Sequence, residues 1–359
     1  MAKRISRFTP FVIPPFAAVV LVAAWGSDLG GILVVLIAVV LAAAVLVAVH
    51  HAEVIAHRVG EPFGSLVLAV AVTVIEVGLI ITLMLAGGKD TSTLARDTVF
   101  AAVMISMNGI VGISLVVGAI RHRIVEFNSE GAGALLATLS ALAVLCLVIP
   151  TFTSAPASQF SPAQLAFVAV ASVTLYGMFV ATQTVVHRDF FLPVGDHAGE
   201  DEHAAVPTNR QTFVSLGMLV IALVSVVGLA KLESPSIERA VSAAGFPPAV
   251  VGVVIALLVL APEGIAAVRA ARRDRVQTSL NLALGSAVAS IGLTIPAIAA
   301  ASVFIAGPLV LGLGATQIVL LALTVVVSIL TIVPGRATRL QGGVHLVLFG
   351  AFIFLSIAP

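Results

Sequence analysis

Seventeen carboxylates are spread along this chain, and two of them stand where a charge is hardest to keep. Glu76 interrupts the apolar run 66–86, within VAVTVIEVGLI, and Glu263 interrupts the run 247–268, within LLVLAPEGIAA. Every other Asp or Glu falls in a short polar gap or at the edge of a run. A charge at membrane depth costs roughly 3 kcal/mol on insertion scales and persists where it faces a partner or a water-filled path. Two such carboxylates, one in each half of the chain, read as a shared cation and proton site. Carboxylate, amide, hydroxyl and carbonyl oxygens suit hard cations such as Ca²⁺ or Na⁺. No Cys or His lies near either glutamate in sequence, so Zn²⁺ and Cu⁺ do not fit. Burial in general favours the protonated form of a carboxyl group, a second carboxylate adds to that, and a cation between them reverses both effects. Proton and metal ion then compete for the same oxygens. Such competition is enough for exchange if the site opens to one side at a time.

Each glutamate is followed by a polar connection and a helix of small and polar residues. After Glu76 come Ser106, Asn108, Gly109, Gly112 and Ser114; after Glu263 come Asn281, Gly285, Ser286, Ser290, Gly292 and Thr294. Small residues let helices approach closely, and hydroxyls and amides offer oxygen ligands. Pro262, directly before Glu263, removes a backbone donor and frees a carbonyl that can face a cation.

The elements that must position these groups are membrane helices. Of the 359 residues, 60% are hydrophobic and 10% charged, and the mean hydropathy is +1.19. This composition defines an all-α polytopic membrane protein. A net charge of +1 offers no basic surface to nucleic acid, and the single cysteine, Cys146, excludes an internal disulfide. Eleven spans are expected, at about 9–25, 31–50, 65–86, 97–120, 131–150, 162–186, 213–230, 247–268, 277–301, 307–333 and 342–358. The basic start followed by an apolar stretch imitates a signal peptide, but Pro14 and Pro15 break it, so it reads as a first span. With a cytoplasmic N-terminus, fourteen of the eighteen Lys and Arg residues fall on the cytoplasmic side, as the positive-inside rule requires. The longest polar gap, 187–212, follows the sixth helix. Setting the first helix aside leaves five helices before the gap and five after it, entering from opposite sides, and Glu76 and Glu263 lie in the second helix of each group. That is an inverted-topology repeat, a plan common in secondary transporters. The expected organisation is an N-terminal helix over 1–29, a first five-helix repeat over 30–186, an acidic cytoplasmic linker over 187–212 and a second repeat over 213–359.

At these residues the chain resembles the Ca²⁺/cation:proton antiporter (CAX) family of the cation/Ca²⁺ exchanger superfamily, in its bacterial ChaA-type branch. The segments that carry the resemblance are HAEVIAHRVGEPFGSLVLAVAVTVIEV, ARDTVFAAVMISMNGIVGISLVVG and APEGIAAVRAARRDRVQTSLNLALGSAVASIGLTIP. The resemblance implies that Glu76 and Glu263 bind the cation and exchange it for protons. It matches Asn108 to the Asn of the first repeat's second motif helix, and Gly285 with Ser286 to the Gly-Ser pair of the second. Two departures stand out. Val72 and Thr73 occupy the place of a Gly-Asn pair, and Ala289 the place of a Gln. One amide ligand is thus missing from each half.

The expected activity is secondary cation:proton antiport by alternating access, exporting Ca²⁺, or Na⁺ or K⁺, from the cytoplasm of a cell across its inner (plasma) membrane. No cofactor and no nucleic-acid partner is expected; the partners are the ions, protons and the bilayer. The alternatives are a Na⁺/K⁺:H⁺ antiporter with little Ca²⁺ transport, an exchanger driven by Na⁺, a channel, and an intramembrane enzyme. The last would need a catalytic set at membrane depth, such as a Ser with a His, an Asp pair or an HExxH motif, and none is expected, since no histidine and no Asp falls at mid-depth of the expected spans. The acidic residues Asp196, Glu200, Asp201 and Glu202, with His197 and His203, read either as a cation-capturing or regulatory segment or as a solvated linker. All eight histidines fall near the expected cytoplasmic face, where they would sense pH or simply mark span boundaries.

Overall fold

The structure is a computed structural model and describes residues 2–27, 30–60, 63–86, 91–192, 207–304 and 307–359. Among the described residues, eleven helices of about membrane length follow one another. They are α1 (Ala2–Ala24), α2 (Gly31–Val59), α3 (Phe63–Ala86), α4 (Leu94–His122), α5 (Ser129–Phe152), α6 (Pro162–Val186), α7 (Asn209–Ala243), α8 (Ala249–Arg272), α9 (Val276–Ala301), α10 (Ala315–Ile332) and α11 (Arg339–Ile357). Ten of them are long and apolar enough to cross a membrane, and α1 contributes a shorter apolar stretch, Thr9–Ala24. Large apolar side chains such as Phe167, Phe213, Val347 and Phe354 stay exposed. In lipid that surface needs no cover. The chain is a multi-pass membrane protein.

The helices begin where side chains can satisfy the first backbone N–H groups. Capping boxes open α6 (Ser161 with Gln164), α7 (Thr208 with Gln211) and α11 (Thr338 with Gln341). Asn128 caps α5 by accepting from the amides of Glu130 and Gly131. α2 ends at Gly60, whose φ of +74° favours glycine and whose N–H returns to the Ala56 carbonyl. The first turn of α3 lies close to the end of α2, so that a Cβ at Gly64 would stand 2.5 Å from the Ala56 oxygen.

The helices fall into two compact units. The first comprises Met1–Thr91 and Ala205–Val251, hence α1, α2, α3 and α7. In it α7 packs against each of the other three, around buried Ile37, Ile75, Ile80 and Leu229. At one end of α7, Arg58 donates to Asn209 Oδ1 (2.6 Å); toward the other, the Lys231 ammonium lies 5.6 Å from the Trp25 ring centroid.

The second unit comprises Ser92–Ala204 and Gly252–Pro359. Here α9 packs on α4, α5 and α6, while α11 packs on α4 and α10. The α4–α11 contact is backbone against backbone: a Cβ at Gly342 would stand 2.8 Å from the Val116 nitrogen and 2.9 Å from the Gly112 oxygen. A short antiparallel ribbon, β1 (Ile124–Glu126) with β2 (Arg336–Thr338), ties the α4–α5 connection to the α10–α11 connection. At the start of α4, Arg96 pairs with buried Asp97 (2.8 Å) and reaches the Gly312 carbonyl (3.2 Å).

Three differences from the sequence reading have local causes. The span expected from 307 starts at 315, because Val310, Gly312 and Leu313 donate to the carbonyls of Ser92, Ser158 and Leu147 in extended conformation. The polar gap after residue 230 is helical, so α7 runs 35 residues with Pro235 inside it. And α4 is not regular: Ile105–Ile110 forms a π-helical turn.

Candidate functional site

Glu76 lies in α3 and is 3% exposed; Thr73, one turn earlier on the same face, is also buried. Both belong to the first unit. Val227 of α7 covers this level of α3, since a Cβ at Gly78 would come within 2.7 Å of its methyl group.

Glu263 lies in α8, in the second unit, and is 8% exposed. Pro262 is inside the helix and cannot donate to the Leu258 carbonyl one turn back. A Cβ at Gly264 would stand 3.5 Å from the Ile110 side chain. The helix bearing Glu263 therefore passes beside the π-turn of α4. That turn carries Ser106 and Asn108, both fully buried. Ser106 Oγ has no hydrogen-bond partner among the described residues. A π-turn widens the helix by one residue and often marks a functional site; here it leaves a buried hydroxyl oxygen unengaged beside a carboxylate-bearing helix.

Asn108 is engaged. Its Nδ2 donates to Thr324 Oγ1 (3.0 Å) and its Oδ1 accepts from His345 Nδ1 (3.1 Å). His345 Nε2 in turn pairs with Thr331 Oγ1 (3.1 Å). An amide oxygen can only accept, so the proton of that contact sits on Nδ1. Asn108 thus braces the π-turn against α10 and α11, and its oxygen keeps one lone pair beyond the bond to His345. His345 does not mark a span boundary, as its place in sequence suggested. It is buried in the core of the second unit, on the stripe Gly342, His345, Phe349 that α11 lays against α4. The signal was present in that spacing, since Gly342 and Phe349 are the residues that meet Gly112 and Gly109.

On α9, Gly285, Ser286 and Ala289 share a half-buried face, whereas Ser279 and Thr294 point into the core and Ser290 is buried. Asn281 belongs to the scaffold: it accepts from Gln277 and donates to the Phe191 carbonyl (2.6 Å). Among the described residues no three His, Cys, Asp or Glu side chains cluster. A cation in either unit would therefore need hydroxyl or carbonyl oxygens in addition to carboxylates. Asp196, Glu200, Asp201, Glu202, His197 and His203 lie outside the described residues. Two buried acids were not singled out by the sequence: Asp97, neutralised by Arg96, and Glu233 in α7.

A multi-pass helical membrane protein with a buried glutamate in one helix of each unit is the class that fold and site define. The sodium/calcium exchanger protein family matches residues 27–185 and 214–358, and the chain belongs to that family, within its cation:proton antiporter (CAX) branch. Over 334 residues it is 48% identical to the y4hA protein of Sinorhizobium fredii, covering 91% of this chain and 89% of that one. It is 35% identical over 358 residues to the sodium-potassium/proton antiporter ChaA of Escherichia coli, covering 98% and 96%. The crystal structure of an H⁺/Ca²⁺ exchanger CAX superposes with a TM-score of 0.69 at 15% identity, covering 99% of this chain and 88% of that one.

Proposed function

We propose that the protein is a secondary cation:proton antiporter of a cell's inner membrane, with its N-terminus in the cytoplasm, and that Glu76 and Glu263 each carry cation or proton in turn. The observation that carries this reading is the burial of both glutamates within membrane-length helices. An ionised carboxylate there is costly unless a partner or a cation faces it, and antiport would take each through a cation-bound and a protonated form. Thr73 Oγ1, one turn from Glu76, and Ser106 Oγ and the Leu258 carbonyl, on the helices at Glu263, are candidate further oxygens, and the family resemblance adds Gly285 and Ser286. In this reading the chain divides into repeats over 30–186 and 213–359, with one glutamate in each. The names of the relatives support proton-coupled exchange, one for sodium and potassium and one for calcium.

The transported ion includes Ca²⁺ in the leading form of this proposal. A reading as a Na⁺/K⁺:H⁺ antiporter with little Ca²⁺ transport is favoured by the residue types Thr73 and Ala289, which the family resemblance sets at positions where calcium exchangers carry amides. Ca²⁺ takes six to eight oxygen ligands, so the loss of two amide oxygens weakens it more than a monovalent ion. Everted membrane vesicles decide between the two. Addition of Ca²⁺, Na⁺ or K⁺ to vesicles holding a pH gradient collapses it for each transported ion, and no collapse with any of the three rejects antiport.

A further inference from the structure

We propose that Glu233 is a proton-carrying carboxyl of the first unit, placed between Glu76 and the outer solution; its role in transport rests on the antiport reading and orientation above. Glu233 is 1% exposed. It continues the buried stripe of α7 through Leu219, Ala222, Val226 and Leu229, at the spacing of one helix face. Its Oε1 is buried and has no hydrogen-bond partner among the described residues.

Among the described residues the charges nearby are otherwise occupied. The Lys231 ammonium lies over the Trp25 ring. Glu238 accepts from Ser234 (3.4 Å). The Arg239 guanidinium donates to the Pro235 carbonyl (3.0 Å) and to Ser236 Oγ (3.2 Å). The helices packed on α7 add little. Residues 31–49 of α2 and 8–24 of α1 contain no ionisable side chain, and in α3 the ionisable residue is Glu76. Among the described residues no charge compensates the Glu233 carboxylate, and an uncompensated buried carboxylate is costly. The carboxyl therefore holds a proton whenever its surroundings are closed. A metal ion does not fit as well, because a single carboxylate lacks the six to eight oxygens of a calcium site.

Its position gives it a task. Val227 marks the level of Gly78, two residues past Glu76. Glu233 is six residues further along α7, about 9 Å at 1.5 Å per residue. It lies away from the Arg58–Asn209 end, hence outward of Glu76. A proton from the outer solution bonds to a Glu233 oxygen; that O–H bond then breaks, its electron pair staying on the carboxylate, as the proton passes through water to Glu76.

Two measurements test this. In infrared difference spectra of the purified protein after a pH jump, the carbonyl band of a protonated carboxyl should lose a component in Glu233→Gln that survives in Glu76→Gln. In vesicles, Glu233→Gln should keep its half-saturating cation concentration, lose about tenfold or more in turnover, and flatten the dependence on outer pH, with Glu233→Asp recovering the dependence. Unchanged spectra together with a wild-type pH profile overturn the proposal. If Glu233→Gln does not elute as a folded species, a shifted carboxyl band in Glu233→Asp decides instead: its presence supports titration and its absence excludes it. A wild type without proton-coupled flux rejects the antiport reading alone, because the spectra still report whether Glu233 takes up a proton.

Discussion

At the scale of single residues, the two motif glutamates should be irreplaceable for exchange and dispensable for folding. Glu76→Gln and Glu263→Gln keep volume and hydrogen-bonding capacity but remove charge and titration. Each is expected to abolish cation-dependent collapse of a pH gradient while the protein still inserts and elutes from gel filtration as wild type does; wild-type flux in either would make that glutamate structural. Selectivity is a second residue-level matter. The double change Thr73→Asn with Ala289→Gln restores an amide to each half and should raise the preference for Ca²⁺ over Na⁺ in competitive vesicle transport. An unchanged ratio in an active double variant would place selectivity elsewhere. Glu76 and Glu263 were legible in the sequence because a charge inside an apolar run is costly enough to stand out against its neighbours. Glu233 was not, since KLESPSIER reads as a polar gap, and only its burial distinguishes it. Ser106 was legible as a hydroxyl on the small-residue helix after Glu76, but its unengaged state was not, since no residue pattern encodes a missing hydrogen bond.

At the scale of elements, the α4–α11 crossing is the contact that holds the π-turn in place. Gly342 touches the α4 backbone, while Gly343 has open space around it. Gly342→Ala forces backbone apart and should destabilise by about 1–3 kcal/mol, as overpacked sites do; Gly343→Ala should be neutral or mildly stabilising. Thermal unfolding in detergent distinguishes them, and equal melting temperatures would show that the crossing relaxes freely. The same crossing presents His345 to Asn108, so His345→Ala leaves a buried amide oxygen short of a donor, at a cost of about 1–3 kcal/mol. Hydropathy located all eleven helices, because long apolar runs carry that signal strongly. It did not locate the π-turn, which shifts the periodicity by a single residue, nor the helical continuation of α7 through Pro235, since proline ordinarily argues for an end.

At the scale of the whole molecule, exchange links cation affinity to pH. A proton on a carboxyl blocks the oxygens that a cation needs, so lowering pH raises the protonated fraction and weakens cation binding; raising pH strengthens it until both carboxyls are free of protons. Isothermal titration at several pH values reads this directly, and affinity flat between about pH 5 and 9 would exclude competition at carboxyls of this type. The 35 residues of α7 have a different consequence. At 1.5 Å per residue the helix is about 52 Å long, well beyond the ~30 Å of hydrocarbon in an average bilayer. Such a rod must tilt, or carry its polar end 231–243 out of the hydrocarbon, and where its apolar stretch exceeds the bilayer the lipid around it thickens. Since α7 holds Glu233 at one level and packs over Gly78 at another, acyl-chain length becomes a control variable. Liposomes of graded chain length should show an optimum thickness for turnover, which would make the host lipid a tuner of this protein.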